Sequence, residues 1–284
     1  MVVACDRPAR KERQIEAKPF LKWAGGKSQL LPELVKRLPE TYERYFEPFA
    51  GGAALFFHLQ PSKACLVDTN VNLIETYRVI KDRVEDLIDD LKHHVYDSDY
   101  YYRLRNMDRT EAYQTWSDVQ KASRLIYLNK TCYNGLYRVN SKGEFNTPFG
   151  RYANPTILNE GNLRACSRAL RQIKLISGSF LTIEKTIKSK DFVYFDPPYE
   201  PLSATANFTG YSQGGFDASM QEALRDFCDR LDRRGVRFML SNSSAPLILE
   251  LYRSYKVEFV FASRMINSKG KDRGKIPEVI VTNY

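Results

Sequence analysis

No run of about 18 apolar residues occurs anywhere in the 284-residue chain, so the sequence offers no helix that could span a bilayer. The opening stretch MVVACDRPARKERQIEAK has no apolar core of signal-peptide length, and residues 1–17 read as a charged, mobile lead-in. Cysteine is sparse. Cys5, Cys65, Cys132, Cys166 and Cys228 are widely spaced with no CxxC pair, which argues against a disulfide frame or a zinc site and for reduced thiols in a cytoplasm-like compartment. His93-His94 is the one histidine pair and has no second ligand set near it, so no metal is expected. The glycines do not form the commonest nucleotide loops either. AGGK at 24–27 lacks the leading glycine and the spacing of GxxxxGK[ST], and GxGxxG is absent.

Positive charge is what the chain has in excess: 43 Lys and Arg against 34 Asp and Glu leave +9. Residues 121–174 carry ten basic residues and only Glu144 and Glu160 as acids, so 10 − 2 = +8 lies there. Tyr127, Tyr133, Tyr137, Phe145, Phe149 and Tyr152 are interleaved with that charge. A basic, aromatic-rich segment suits a nucleic-acid face. A solvated basic surface over core aromatics is the competing reading.

The order of elements is that of an interrupted α/β sheet. YERYFEPF reads as a short strand, AGGAALFFHL as a loop opening a helix, and KACLVDTN as a strand ending in Asp68. Leu73, Tyr77, Ile80, Val84, Leu87 and Leu91 recur at helical spacing and predict one helix over 71–92. A second helix is expected at 117–130. The Asn-, Gly- and Pro-rich stretch 133–158 is a long loop or hairpin, a form that tends to carry function. The α/β pattern then resumes, with a helix near 161–172, strands near 173–177 and 191–195, a helix at 217–234, and late strands in VRFMLSN and EVIVTNY. Residues 18–70 and 159–284 would form a sheet domain, with 71–158 inserted into it.

Two constellations carry chemistry. In EPFAGGAALFF followed by LVDTN, a glycine turn after a strand lets a ligand approach the backbone. Asp68, 16 residues beyond Gly52, could take both hydroxyls of a ribose. A turn that needs Gly51 and Gly52 only for packing is the alternative. In DFVYFDPPYEPL, two prolines stop the ladder, which leaves Asp196 where strand becomes loop, the usual place for ligands in such sheets. An exocyclic amine on an aromatic base is a poor nucleophile because its lone pair is delocalised. Acceptors at its two hydrogens, the Asp196 carboxylate and the Pro197 carbonyl, would favour the pyramidal form that attacks. Tyr199 would offer a ring for the base, worth about 1–3 kcal/mol of stacking.

Taken with PFLKWAGGK (19–27), FEPFAGGAALF (46–56), VDTN (67–70), YNGLYRVNSKGEFNTPFGRY (133–152), YFDPPYEPLSATANFTGY (194–211) and LSNS (240–243), the chain resembles the Dam-type DNA adenine-N6 methyltransferases of the alpha group, which act on GATC. The resemblance covers nearly everything after residue 17. It implies an α/β, Rossmann-like S-adenosylmethionine-dependent fold: a mostly parallel seven-stranded sheet with helices on both faces and a mainly helical target-recognition insertion. It implies S-adenosylmethionine, leaving as S-adenosylhomocysteine, and no metal. Trp23 and Lys27 resemble the cap on that cofactor, with Lys27 placed for its carboxylate. Glu47, Pro48, Phe49 and Gly51 resemble the turn around its methionine end, Asp68 the ribose acid, and Ser179 and Phe180 the adenine holders. Asp196, Pro197 and Tyr199 match the catalytic corner, and Asp196 also borders the cofactor. Lys22 and Arg138 match the guanine readers. Tyr133, Asn134 and Leu136 match the hairpin that wedges into the duplex, and Pro148 and Tyr152 further target contacts. One departure stands out: the turn usually reads FxGxG, and here Ala53 takes the second glycine position.

The mechanism so implied is flipping of adenine out of duplex DNA and direct in-line transfer to N6. A cytosine-C5 enzyme would need a cysteine nucleophile, typically after proline, and no cysteine follows a proline. An amino-methyltransferase acting on cytosine N4, RNA adenine or a protein amide, or a catalytically inactive DNA-binding protein of the same fold, are the rivals. The expected partner is double-stranded DNA, and a companion restriction endonuclease acting on the same site is compatible with it. A cytoplasmic monomer, held at the nucleoid through DNA and away from membranes, is expected.

Overall fold

The computed structural model describes residues 15–202, 216–262 and 276–284. Residues 1–14 of the lead-in and 203–211 of the motif at 194–211 lie outside them. Seven strands form one sheet: β1 (Tyr45–Glu47), β2 (Ala64–Asp68), β3 (Lys174–Ser177), β4 (Phe192–Phe195), β5 (Arg237–Ser243), β6 (Lys256–Ala262) and β7 (Ile276–Thr282). Their order is β3-β2-β1-β4-β5-β7-β6, with only β7 running against its neighbours. Both faces are covered, which is why the strands read as apolar runs. Tyr45, Leu66, Phe192, Tyr194 and Met239 enter one core; Phe46, Val67, Val193, Phe195, Phe238 and Leu240 enter the other.

The first core is closed by α1 (Leu31–Val35), α2 (Ala54–Leu59), α3 (Val71–Asp82) and α7 (Glu160–Leu170), the second by α8 (Ala218–Arg233) and α9 (Pro246–Leu251). The helix expected over 71–92 is two. Arg83, at φ −139 and ψ 39, leaves helical conformation, and α4 (Val84–Leu91) starts afresh. The apolar spacing runs unbroken through the bend because both pieces bury the same stripe: Leu73, Tyr77 and Ile80, then Leu87 and Leu91. α3 packs on α6 as well as on β2, β3 and α7. Ala17 is buried, so the packed chain begins inside the stretch read as lead-in.

The remaining helices are α5 (Ser98–Asn106) and α6 (Asp118–Thr131). Ser117 and Gln120 form a capping box at the start of α6, which satisfies otherwise free N–H groups of its first turn. Tyr101, Leu104, Tyr127, Leu128, Cys132 and Phe145 make a third, small core beneath residues 132–149. That segment is a loose hairpin, closed by antiparallel bridges Cys132↔Phe149 and Val139↔Phe145. His94 is taken up inside this region: its ring nitrogens meet Tyr100 Oη at 2.6 Å and Ser123 Oγ at 2.9 Å, and it stacks on Tyr127. Among the described residues no helix is long and apolar enough to cross a membrane.

Candidate active site

The strand order reverses between β1 and β4, and the crevice beyond their carboxyl ends is where such sheets bind ligands. Glu47 ends β1 and Asp196 follows β4, so adjacency of two strands remote in sequence brings the two acids together. Burial first, and then the charge of Asp196, pushes the Glu47 carboxyl from its ordinary 4.5 to about 8, although the Tyr45 hydroxyl donates to it at 2.7 Å. Burial also raises Asp196, against the opposing pull of Lys27 and Ser241.

Asp196 is held from two sides. Lys27 Nζ lies 2.6 Å from Oδ1, and Ser241 Oγ donates to the same oxygen at 3.0 Å. Ser241 in turn shares a 3.0 Å hydrogen bond with Tyr194 Oη. Lys27 Nζ also donates to the Gly25 carbonyl at 2.7 Å and stands 4.4 Å from the centre of the Tyr199 ring. One ammonium therefore bridges the carboxylate and the aromatic face. The loop after Asp196 is braced by polar residues of β5 and α8. Asn242 Oδ1 accepts from Glu200 N (3.0 Å), Ser243 Oγ donates to the Glu200 carbonyl (2.6 Å), and Gln221 Nε2 donates to the Pro198 carbonyl (3.0 Å). Pro197 is buried and Pro198 exposed. No donor among the described residues sits on the Pro197 carbonyl.

The glycine turn lies beside this corner. Asp68 accepts from Gly51 N at 2.9 Å and from Asn70 N at 2.8 Å, and burial raises its carboxyl. Gly51 has φ +47, and a Cβ there would stand 2.8 Å from Trp23 Cδ1, so the turn and the Trp23 ring close on each other as only glycine permits. Ala53, two residues on, takes a backbone conformation that favours glycine. It is buried in left-handed conformation at φ 48, which costs a residue with a Cβ about 1–2 kcal/mol. The half-buried acid at a strand end, the open turn and the aromatic cap fit a nucleoside-bearing ligand such as S-adenosylmethionine. Pro48 is buried and Phe49 half-buried against Phe180, ring centres 5.5 Å apart. The Phe180 ring itself lies in the core and backs Phe49, while Ser179 Oγ accepts from Leu181 N.

The other face of the strap 20–27 meets the hairpin. Trp23 stacks on Tyr137, ring centres 5.1 Å apart. Asn129 of α6, fully buried, accepts from Lys22 N at 2.8 Å and donates to the carbonyls of Lys22 (2.8 Å) and Gly135 (3.0 Å). Lys22 is exposed, and so are Tyr133, Arg138 and Pro148. The Arg138 guanidinium rests on Asn146, with Nε 2.7 Å from Oδ1 and Nη2 3.2 Å from the carbonyl. Asn134 takes left-handed φ 56 beside Gly135, which turns the chain at the hairpin base. Leu136 is half-buried, with its carbonyl on Thr147 Oγ1. Tyr152 is an internal brace: its hydroxyl donates to the Cys132 carbonyl at 3.0 Å and its N–H to Tyr96 Oη at 2.8 Å.

Every residue expected at the site is among those described, and they form two groups on either side of the strap. Sequence reasoning missed Asn129, Ser241, Gln221, Asn242 and Glu278. Ser241 and Asn242 lay within LSNS, a motif noticed but given no role, and the others had no local signal.

Residues 23–266 match the family described as D12 class N6 adenine-specific DNA methyltransferase. The chain belongs to that family. It is 47% identical over 277 residues to the Type II methyltransferase M1.LlaDCHI of Lactococcus lactis subsp. cremoris, covering 96% of this chain and 98% of that one. It is 40% identical over 290 residues to the Type II methyltransferase M.MjaIII of Methanocaldococcus jannaschii, covering 95% and 100%. It is 34% identical over 265 residues to the DNA adenine methylase of Escherichia coli (strain K12), covering 92% and 93%. The protein is thus an adenine-specific DNA methyltransferase. Its family implies S-adenosylmethionine as methyl donor and DNA as substrate.

Proposed function

We propose that this enzyme methylates N6 of adenine in double-stranded GATC, by flipping the base and transferring the methyl group in line. The observation that carries the reading is the position of Lys27 Nζ, 2.6 Å from Asp196 and 4.4 Å from the Tyr199 ring centre. A nitrogen can be held by the carboxylate and lie over the ring at once, as an amine on a stacked base must. S-adenosylmethionine, when bound, supplies a methyl group on a positively charged sulfur. Trp23, Lys27, Glu47, Pro48, Phe49, Gly51, Asp68, Ser179, Phe180 and Asp196 are the residues proposed to hold it. Lys27 has to leave Asp196 for the base to enter, and the cofactor's carboxylate is its proposed destination.

Asp196 and the Pro197 carbonyl would accept from the two N6 hydrogens and turn the lone pair toward the methyl carbon, so catalysis is mainly positioning and dipole alignment. Flipping costs a few kcal/mol, which Tyr133 and Leu136 would partly offset by filling the gap, with Asn134 gripping phosphate. Lys22 and Arg138 would read guanine, Arg138 through the two-bond fork that discriminates by about 1–3 kcal/mol. Pro148 and Tyr152 are proposed as further target contacts. GATC rests on the resemblance of these residues. The Type II names of two relatives support a role beside a restriction endonuclease of the same site.

The test is transfer of label from radiolabelled S-adenosylmethionine to a GATC duplex and to a scrambled duplex, followed by nucleoside analysis. Label in N6-methyladenine from the GATC duplex alone is expected. Asp196→Ala should lower the rate by about 10²–10³-fold; near-wild-type methylation by that variant would refute the mechanism.

A further inference from the structure

The two groups that face Lys27 are anchored on different strands. Asp196 follows β4, whereas the Tyr199 hydroxyl donates to Glu278 Oε2 at 2.9 Å. Glu278 stands on β7, paired with Ser243 of β5 and Val260 of β6, and its side chain is 5% exposed. Burial, followed by the charges of Asp196 and Glu278, keeps the phenol protonated, so Tyr199 is the donor. A carboxylate that accepts from a phenol makes a strong, short-range tether and draws electron density toward the ring. The face of that ring already carries a cation, the Lys27 ammonium, as the ring quadrupole favours.

We propose that Glu278 is a positioning residue of methyl transfer: through the Tyr199 hydroxyl it orients and polarises the ring face on which the target base becomes positively charged. The proposal rests on the function given above. When N6 gives its lone pair to the methyl carbon, the carbon–sulfur pair returns to sulfur. The positive charge passes to the base until an N6 proton leaves to water. The incoming base is neutral, so a more negative ring favours the charged species over the ground state, and only such a difference raises the rate. The link from Glu278 toward the base is the Tyr199 hydroxyl.

A double-mutant cycle tests this with wild type, Glu278→Gln, Tyr199→Phe and the double variant. Three quantities are measured: single-turnover methylation of a GATC duplex, fluorescence of 2-aminopurine at the target position, and S-adenosylhomocysteine binding by calorimetry. Each single variant is expected to slow transfer about ten-fold, with S-adenosylhomocysteine affinity and 2-aminopurine fluorescence unchanged. The double variant should be no slower than the slower single, because both changes remove one interaction. Losses that multiply, or a wild-type rate for Glu278→Gln, overturn the proposal. If Glu278→Gln does not fold, a wild-type rate for Tyr199→Phe overturns it instead. A wild-type rate for Tyr199→Ala overturns it together with the reading of the corner, so the two failures are told apart.

Discussion

Glu47 shows how one position couples stability to the site. Its carboxyl is buried, accepts from Tyr45, and is pushed to about 8 by burial and then by Asp196. In the unfolded chain it titrates near its ordinary 4.5. Between those values the folded protein keeps a proton that the unfolded chain has released. The stability this group contributes is therefore full below the lower value and is lost as pH rises toward the upper one. Glu47→Gln removes the dependence. The urea midpoint of the variant should fall less than that of wild type between about pH 5 and about pH 8. Parallel declines would mean that Glu47 is ionised in the fold. The residue itself was legible as part of EPFAGG, but its protonation depends on Asp196, which enters only when β1 and β4 become neighbours.

Among elements, the strap, α6 and the hairpin act as one device. The Asn129 amide of α6 holds both backbone groups of Lys22 and the Gly135 carbonyl. Trp23, next along the strap, touches the Gly51 turn on one side and Tyr137 on the other. Asn129→Ala would leave these buried groups without partners. A loss of about 2–3 kcal/mol is expected in denaturant unfolding, with discrimination against scrambled duplexes falling further than affinity for them. Unchanged discrimination would show that Lys22 and the hairpin are placed by other contacts. Asn129 was invisible in the sequence because it is one of many polar residues along α6, and two of its three partners are backbone groups of Lys22, 107 residues away. The bend at Arg83 was hidden for a related reason: both helices continue one buried stripe.

At the scale of the molecule, the net charge of +9 is unevenly shared. Two of the ten basic residues in 121–174 are neutralised within the fold, Arg124 by Asp108 and Arg164 by Glu85 and Glu160. Arg138, Lys142 and Arg151 remain exposed on the hairpin and just beyond it. Exposed lysines that meet phosphate bind without regard to sequence, while a forked arginine reads a base. Lys142→Ala should weaken GATC and scrambled duplexes alike and flatten the dependence of log affinity on log salt by about 1. Arg138→Ala should instead lower the preference for GATC by about 1–3 kcal/mol. Filter-binding titrations across salt concentrations separate the two, and interchangeable behaviour would remove Arg138 as a reader.

What the sequence alone determined is local. Strands buried on both faces appear as apolar runs, and the residues that end them, Glu47, Asp68 and Asp196, appear as acids before glycine, asparagine or proline turns. That sufficed for six of the seven strands and for the turn at Gly51. β6 escaped notice because it is an edge strand whose Phe259 and Phe261 stay exposed, so polarity does not mark its outer face. Only the tertiary structure decided which partners those acids have. Tyr199 reaches Glu278 across 79 residues, Lys22 reaches Asn129 across 107, and Lys27 reaches Asp196 through the close approach of strap and sheet. Hydrogen bonds and charges act over a few ångströms of space, and strand order, not chain position, sets which groups fall within that range.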